Sequence, residues 1–252
     1  MAQKMIQKDK GIIIACDCDF EIYSKILRET KELEEIVGYK LGSELSLYGR
    51  KKIVLLTKNY TDKPLIYDHQ KGGTDVSHMG KSFANSAKDD GVDAVILFPR
   101  MFNKKAEIAY ITAAKEKDLS ILVGGLTTEE AERTKEFNEG DVNKLSTIEI
   151  IEYIALTAGW QSIYKTAIGE GVANFVLPGN ILEITKEIKD FILKESKIAP
   201  IFYTPGIGAQ GGKLSELAEL FKGSLWYPII GRSIYESPNI KEKVRELINQ
   251  MI

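Results

Sequence analysis

Cysteine and histidine are scarce in this 252-residue chain, at two each. Cys16 and Cys18 stand one residue apart, which excludes a disulfide framework and fits reduced thiols in a cytoplasm. Two histidines without a ligand-spaced cluster give no basis for a metal site, so neither a metal nor another cofactor is expected. An excess of one charge is lacking as well: 34 basic and 36 acidic side chains leave a formal net charge of −2. A chain so balanced has no electrostatic footprint for DNA, RNA or an anionic membrane, so an anionic ligand has to be met by a local arrangement. No apolar run approaches the roughly 18 residues of a membrane span. Residues 1–10 are polar and lysine-bearing rather than a signal segment. These absences predict a cytoplasmic protein that engages neither nucleic acid nor membrane.

What is present is a regular alternation. Hydrophobic residues make up 44% of the chain, enough for one substantial core, and the length suits a single domain over residues 1–252. Short apolar runs of the kind buried on both faces recur at residues 11–16, 36–41, 64–67, 93–98, 120–124, 171–178, 199–203 and 226–230. Helical spacing separates them, as in Ile181, Ile184, Ile188 and Ile192. Nearly fifty residues divide the fifth run from the sixth, and helices are predicted there at 128–138 and 146–165. The last helix is expected to open with Ser237 as N-cap and Pro238 at its first position. Eight strand-helix units predict an α/β fold, a parallel eight-stranded (β/α)8 TIM barrel.

In such a barrel chemistry sits where strands end. The residues falling there are Asp17, Lys40, Asp68, Thr127, Pro205 to Gly212, and Gly231-Arg232. Four glycines crowd into residues 204–212, where each would weaken a helix or strand, so the segment is predicted to bring backbone N–H groups close to a ligand. Arg232 adds a fixed positive fork. Together the two stretches follow strands seven and eight, the usual phosphate site of the fold, and are predicted to cradle a phosphate.

The strings Ala15-Cys16-Asp17, Tyr39-Lys40-Leu41-Gly42, Asp68 to Asp75, Pro205-Gly206-Ile207-Gly208-Ala209-Gln210-Gly211-Gly212 and Ile230-Gly231-Arg232-Ser233-Ile234-Tyr235 make the chain resemble the orotidine 5'-monophosphate decarboxylases, a family of phosphate-binding barrels. Their strand-three signature usually reads Asp-x-Lys-x-x-Asp. Here it is Asp68-His69-Gln70-Lys71-Gly72-Gly73-Thr74-Asp75, one residue longer on each side of the lysine, and Gly72-Gly73 offers the backbone freedom to absorb the excess.

The resemblance implies that orotidine 5'-phosphate loses carbon dioxide from C6 without a metal, in de novo pyrimidine biosynthesis, and that Lys71 stabilises the C6 carbanion and protonates it. Asp68 and Asp75 would hold Lys71 in an alternating array with Lys40, the last aspartate reaching into a neighbouring subunit, which implies a homodimer with shared active sites. Asp17 would accept a ribose hydroxyl and Thr127 would meet the pyrimidine edge. Pro205, Gly206, Ile207, Gly208, Gln210, Gly231 and Arg232 would bind the nucleotide, chiefly at its phosphate. Plainer assignments stand beside these. Thr127 with Glu130 has the spacing of a capping box, while His69, His78, Trp160 and Trp226 suit structural positions. Two other functions fit the same cradle: a Mg-dependent sister barrel, decarboxylase or aldolase, acting on a sugar phosphate, and a nucleotide-binding barrel without catalysis.

Overall fold

The computed structural model describes residues 5–141 and 144–251. Eight parallel strands close a barrel in sequence order: β1 (Ile12–Cys16), β2 (Ile36–Leu41), β3 (Leu65–Asp68), β4 (Ala94–Leu97), β5 (Ser120–Gly124), β6 (Asn174–Val176), β7 (Ile201–Thr204) and β8 (Leu225–Ile230). Ile13 and Ile14 pair with Ile229 and Ile230, which joins β1 to β8 and leaves no open edge. The (β/α)8 barrel expected from the alternation is the fold observed.

The helices are α1 (Phe20–Thr30), α2 (Ser43–Leu47), α3 (Arg50–Lys58), α4 (Met79–Asp90), α5 (Lys104–Lys115), α6 (Thr128–Glu139), α7 (Thr147–Gly169), α8 (Leu182–Glu195), α9 (Leu214–Leu220), α10 (Arg232–Tyr235) and α11 (Ile240–Asn249). The helical stretch from Ser43 is two helices, because Gly49 lies between them at a φ of 99°. The long interval after β5 holds α6 and α7 as expected, each opened by a capping box, Thr127 with Glu130 and Ser146 with Glu149. The last helix corrects its expectation. Its cap is Asn239, whose Oδ1 accepts from Glu242 N at 3.1 Å, whereas Ser237 Oγ accepts from Asn239 N and belongs to the preceding turn.

Side chains alternate across each strand, so the apolar runs feed two cores. Ile12, Ile14 and Cys16 point outward into the layer between barrel and helices, where Tyr23, Ile26, Phe175 and Val244 also lie. Ile13 and Ala15 point inward with Ile66, Ile96, Leu122, Val176, Tyr203, Tyr227 and Ile229, and Ile6 joins them from the N-terminal segment. The interior is therefore packed rather than hollow. Cys16 and Cys18 are both free and buried, serving as packing residues. Among the described residues no helix is long and apolar enough to cross a membrane.

One buried group is out of keeping with this apolar packing. Glu107 on α5 is 2% exposed, and its Oε1 has no hydrogen-bond partner. Burial pushes its pKa up to about 8, Lys104 opposing and Glu170 adding to the rise. The folded chain then holds the acid neutral while the unfolded chain ionises it near pH 4.3, so stability falls as pH climbs from there to about 8 and levels off above. The Glu107→Gln variant removes this titration. Its melting temperature is expected to match wild type near pH 4.5 and to exceed it by about 3 °C or more at pH 8. Equal melting temperatures at both pH values would contradict the assignment.

Candidate active site

At the ends of the first three strands the inward row changes from apolar to charged. Ile13 and Ala15 lead to Asp17, Ile66 leads to Asp68, and Lys40 lies opposite Ala15 and Ile66. Three neighbouring strands thus deliver two carboxylates and an ammonium to one spot. Lys40 Nζ is 3.0 Å from Asp17 Oδ2 and 2.8 Å from Asp68 Oδ2. Lys40 is 6% exposed. Burial would pull its pKa down, but the charges of Asp68 and Asp17 and their hydrogen bonds outweigh that and hold it above the ordinary lysine value. Asp17 is itself set by its surroundings: a Cβ on Gly42 would fall 1.9 Å from Asp17 Oδ1, and the Tyr235 hydroxyl donates to Asp17 O at 3.0 Å.

Above this array lies a cavity of about 520 Å³. Its wall includes Asp17, Lys40, Asp68, Lys71, Thr127, Pro205, Gly206, Ile207, Gln210, Gly231 and Arg232. Eleven residues singled out from sequence therefore share one space. Two do not: Gly208 and Asp75 lie outside the wall. His69 and His78 are outside it too, and His69 stacks on Phe83 with ring centroids 4.1 Å apart.

The lengthened turn after β3 accounts for Asp75. Asp68 Oδ1 accepts from Gln70 N at 3.2 Å, Gln70–Gly72 forms a 3-10 turn, and Gly73 follows at a φ of 81°. Gly72 is needed for a separate reason, since a Cβ there would lie 2.3 Å from the His69 ring. The turn leaves Lys71 exposed on the cavity wall, without an ion-pair partner among the described residues. Asp75 turns instead to the β4–α5 loop, where its Oδ2 is 3.4 Å from Arg100 and its carbonyl accepts from Asn103. Within one chain the charges in direct contact are those of Asp17, Lys40 and Asp68, and Lys71 and Asp75 of the expected array stand apart from that cluster. Lys71 and Asp75 leave the turn in different directions, the first to the cavity and the second to the β4–α5 loop.

The glycine loop is pinned at its base. Gly208 N donates to Gly212 O, Gly211 N to Gly208 O and Gly212 N to Gly206 O, at 2.8, 2.9 and 3.0 Å. Gly206, Gly208 and Gly211 take φ values of 93°, 74° and 94°, a region that penalises any other residue. Gly212 is restricted sterically: a Cβ would lie 2.3 Å from Gly179 O and 2.6 Å from Gly206 O. The exposed tip, Ala209 and Gln210, projects into the cavity together with Gly231 and the exposed Arg232. Among the described residues Arg232 has no acidic partner, which leaves its guanidinium available to an anion. Thr127 forms the expected cap, its Oγ1 accepting from Glu130 N at 3.2 Å, and the residue also lines the cavity.

A protein of Methanococcus maripaludis named orotidine 5'-phosphate decarboxylase is 34% identical over 228 residues, which cover 90% of this chain and 89% of that protein. The chain belongs to the orotidine 5'-phosphate decarboxylase family. A Pyrococcus abyssi protein of the same name is 29% identical over 241 residues, 95% of this chain and 98% of the relative. The crystal structure of orotidine 5'-monophosphate decarboxylase from Methanocaldococcus jannaschii, complexed with the inhibitor BMP, superposes with a TM-score of 0.75 at 21% identity, covering 96% of this chain and 98% of that one. That likeness concerns the fold. No family model matches the chain.

Sequence reasoning about this decarboxylase-family site overlooked Phe98, Glu44, Gln70 and Tyr235, all of which line the cavity. Phe98 had a signal, because it continues the inward row two residues after Ile96. Its ring lies over Gly124, where a Cβ would be 2.2 Å from Cζ. The clamp on the glycine loop is directly testable. Gly212→Ala is expected to cost about 1–3 kcal/mol by overpacking, seen as a melting temperature lower by about 5 °C. An unchanged melting curve would show that the loop base is free to move.

Proposed function

We propose that the cavity at the barrel mouth binds orotidine 5'-phosphate and releases carbon dioxide from it, leaving uridine 5'-phosphate, a step of de novo pyrimidine biosynthesis. The activity is that of a carboxy-lyase, the activity of the family to which the chain belongs. One observation carries the assignment of the site: the Asp17–Lys40–Asp68 array, the unpaired Lys71 and the anion-binding pair of Gln210 and Arg232 all face one cavity.

In this reading the phosphate is held by Gln210, the Gly231 amide and Arg232, with Pro205, Gly206 and Ile207 forming the adjoining wall. Gly208 acts from outside the cavity by holding the turn. Asp17 accepts a ribose hydroxyl, and the Thr127 hydroxyl, whose proton the cap leaves free, donates to the pyrimidine edge. The bond from C6 to the carboxylate carbon then breaks with its electron pair remaining on C6. No carbonyl adjoins that carbon to take up the charge, so the Lys71 ammonium stabilises the carbanion electrostatically and delivers the proton that completes uridylate. A preorganised charge in a site closed from water contributes several kcal/mol to such a barrier. Lys40 and Asp68 fix the electrostatic surroundings of Lys71, and binding the remote phosphate supplies free energy for orienting the reacting end.

A homodimer with shared active sites completes the proposal. Lys71 lacks an acidic partner among the described residues of its own chain, and Asp75 leaves its own cavity for the outer rim, beside Val76 and Phe102, which are 41% and 92% exposed. A second copy brings its Asp75 to the first copy's Lys71.

Purified protein in a chelating buffer is expected to consume orotidylate, followed by its absorbance, at a rate independent of EDTA. Lys71→Ala should lower kcat/KM by at least about 10³-fold. An inactive wild type, or a variant as fast as wild type, sinks the assignment. The shared site has its own test. When inactive Lys71→Ala and Asp75→Ala proteins are mixed and their subunits exchanged, activity should return to about a quarter of wild type, because half of the dimers then carry one intact site. Continued inactivity after exchange would place each Asp75 in service of its own chain.

A further inference from the structure

Asn180 lies in the turn between β6 and α8 and is absent from the cavity wall, yet it is fixed between two segments that both line it, the glycine loop and the start of α6. Its Nδ2 donates to Thr128 O at 3.1 Å and to Glu132 Oε1 at 2.9 Å. Both acceptors belong to α6, the helix that Thr127 caps. On the other side the backbone of Asn180 lies against the glycine loop. A Cβ on Gly206 would fall 3.4 Å from Asn180 N and 2.7 Å from Thr128 Cγ2. Gly179, the preceding residue, donates its N–H to Pro205 O at 2.8 Å, and its carbonyl is the atom that leaves no room for a side chain on Gly212.

Three loops thus meet behind the cavity with no slack among them. Close-packed contacts of this kind pass a displacement from one side to the other, because a neighbour at van der Waals distance has to move with it. The Asn180 carboxamide is the polar member of that contact, oriented by what it donates, since its buried Oδ1 has no donor among the described residues. We propose that Asn180 is a positioning residue that makes occupancy of the phosphate loop and placement of Thr127 at the base edge interdependent. The inference rests on the functional reading above and extends it from which residues touch the nucleotide to how its two ends are sensed together. Asn180 supplies no group to the reacting atoms. It couples residues 205–212 to the start of α6.

The measurement is a linkage between fragments of the nucleotide. Uridine carries the base and the 5'-oxygen, and phosphite supplies a dianion without the bridging oxygen. In the wild type each should tighten the other by about fivefold or more, as expected for coupled sites, read by calorimetric titration of one in the presence of the other. In Asn180→Ala the mutual tightening should fall below about twofold, with each fragment alone binding within about twofold of wild type. Glu132→Gln keeps an acceptor for Nδ2 and should retain the coupling. A merely structural role would weaken both fragments alike and leave their linkage intact, and that result overturns the proposal, as does unchanged linkage in Asn180→Ala. Should Asn180→Ala fail to fold, Glu132→Ala removes one of the two bonds, and reduced linkage there supports the proposal while full linkage overturns it. A wild type that binds neither fragment overturns the functional reading itself, an outcome distinct from linkage that survives the substitution.

Discussion

Everything at the barrel mouth depends on one buried ammonium. Lys40 is nearly inaccessible to water and stays charged because two carboxylates from neighbouring strands close on it at about hydrogen-bond distance. Such an arrangement adds little to stability. Removing two ions from water costs several kcal/mol each, and well-packed apolar residues in their place are often neutral or stabilising. What the array provides is a set of charges whose positions are fixed before any ligand arrives, which is the condition for electrostatic catalysis. The β-barrel makes it possible: inward rows from three adjacent strands converge at the mouth, so that Asp17, Lys40 and Asp68 are brought together by strand register rather than by flexible loops.

The ends of the cavity differ in how they are built. At the end proposed for the phosphate, three internal hydrogen bonds and the close approach of Gly212 to Gly179 hold the loop base, so a dianion there would meet a preformed turn and a guanidinium without an acidic partner among the described residues. At the reacting end, Lys71 sits on an exposed 3-10 turn stabilised by Gly73 and by the packing of Gly72 on His69. In the proposed reaction, a pinned anchor beside an exposed reacting segment suits the use of remote binding to orient the groups undergoing change, since contacts at the phosphate are the same in ground and transition states while those at C6 are not.

The strands were legible in the sequence because a strand buried on both faces must be continuously apolar, and runs such as Ile12-Ile13-Ile14 have no other stable use. Site residues at strand ends were legible for a related reason: a charge terminating such a run marks the point where the barrel meets solvent. Phe98 escaped because an aromatic residue at that position looks like more core, and only its register on the inward row reveals it. The cap of α11 was misplaced because Ser237-Pro238 carries the local signal of a helix start, whereas Asn239 has the side chain that reaches Glu242 N. Neither propensity nor spacing specifies which of two polar residues, here separated by Pro238, will be within reach. Asn180 lay beyond sequence reasoning altogether. Its partners are about 50 residues away in the chain, and their proximity is a property of the closed barrel.

The lengthened turn is the one place where local chemistry left the outcome open, and energetics indicate why it can serve a two-chain site. Asp75 pairs with Arg100 at 3.4 Å, but Arg100 is 74% exposed. An exposed pair of this kind contributes about 0–1 kcal/mol, so releasing Asp75 from it costs little. Lys71, by contrast, stands at a cavity that a bound nucleotide shields from water, where an opposite charge interacts more strongly because the local dielectric is lower. In the proposed dimer, moving a carboxylate from the weak surface pair to the shielded ammonium of a second copy is therefore favourable once ligand is bound. A turn of Asp-x-Lys-x-x-Asp length allows less separation between lysine and second aspartate. With Gly73 at positive φ, this turn presents Lys71 to its own cavity and Asp75 to the outer rim beside Arg100, the arrangement that the proposed shared active site uses.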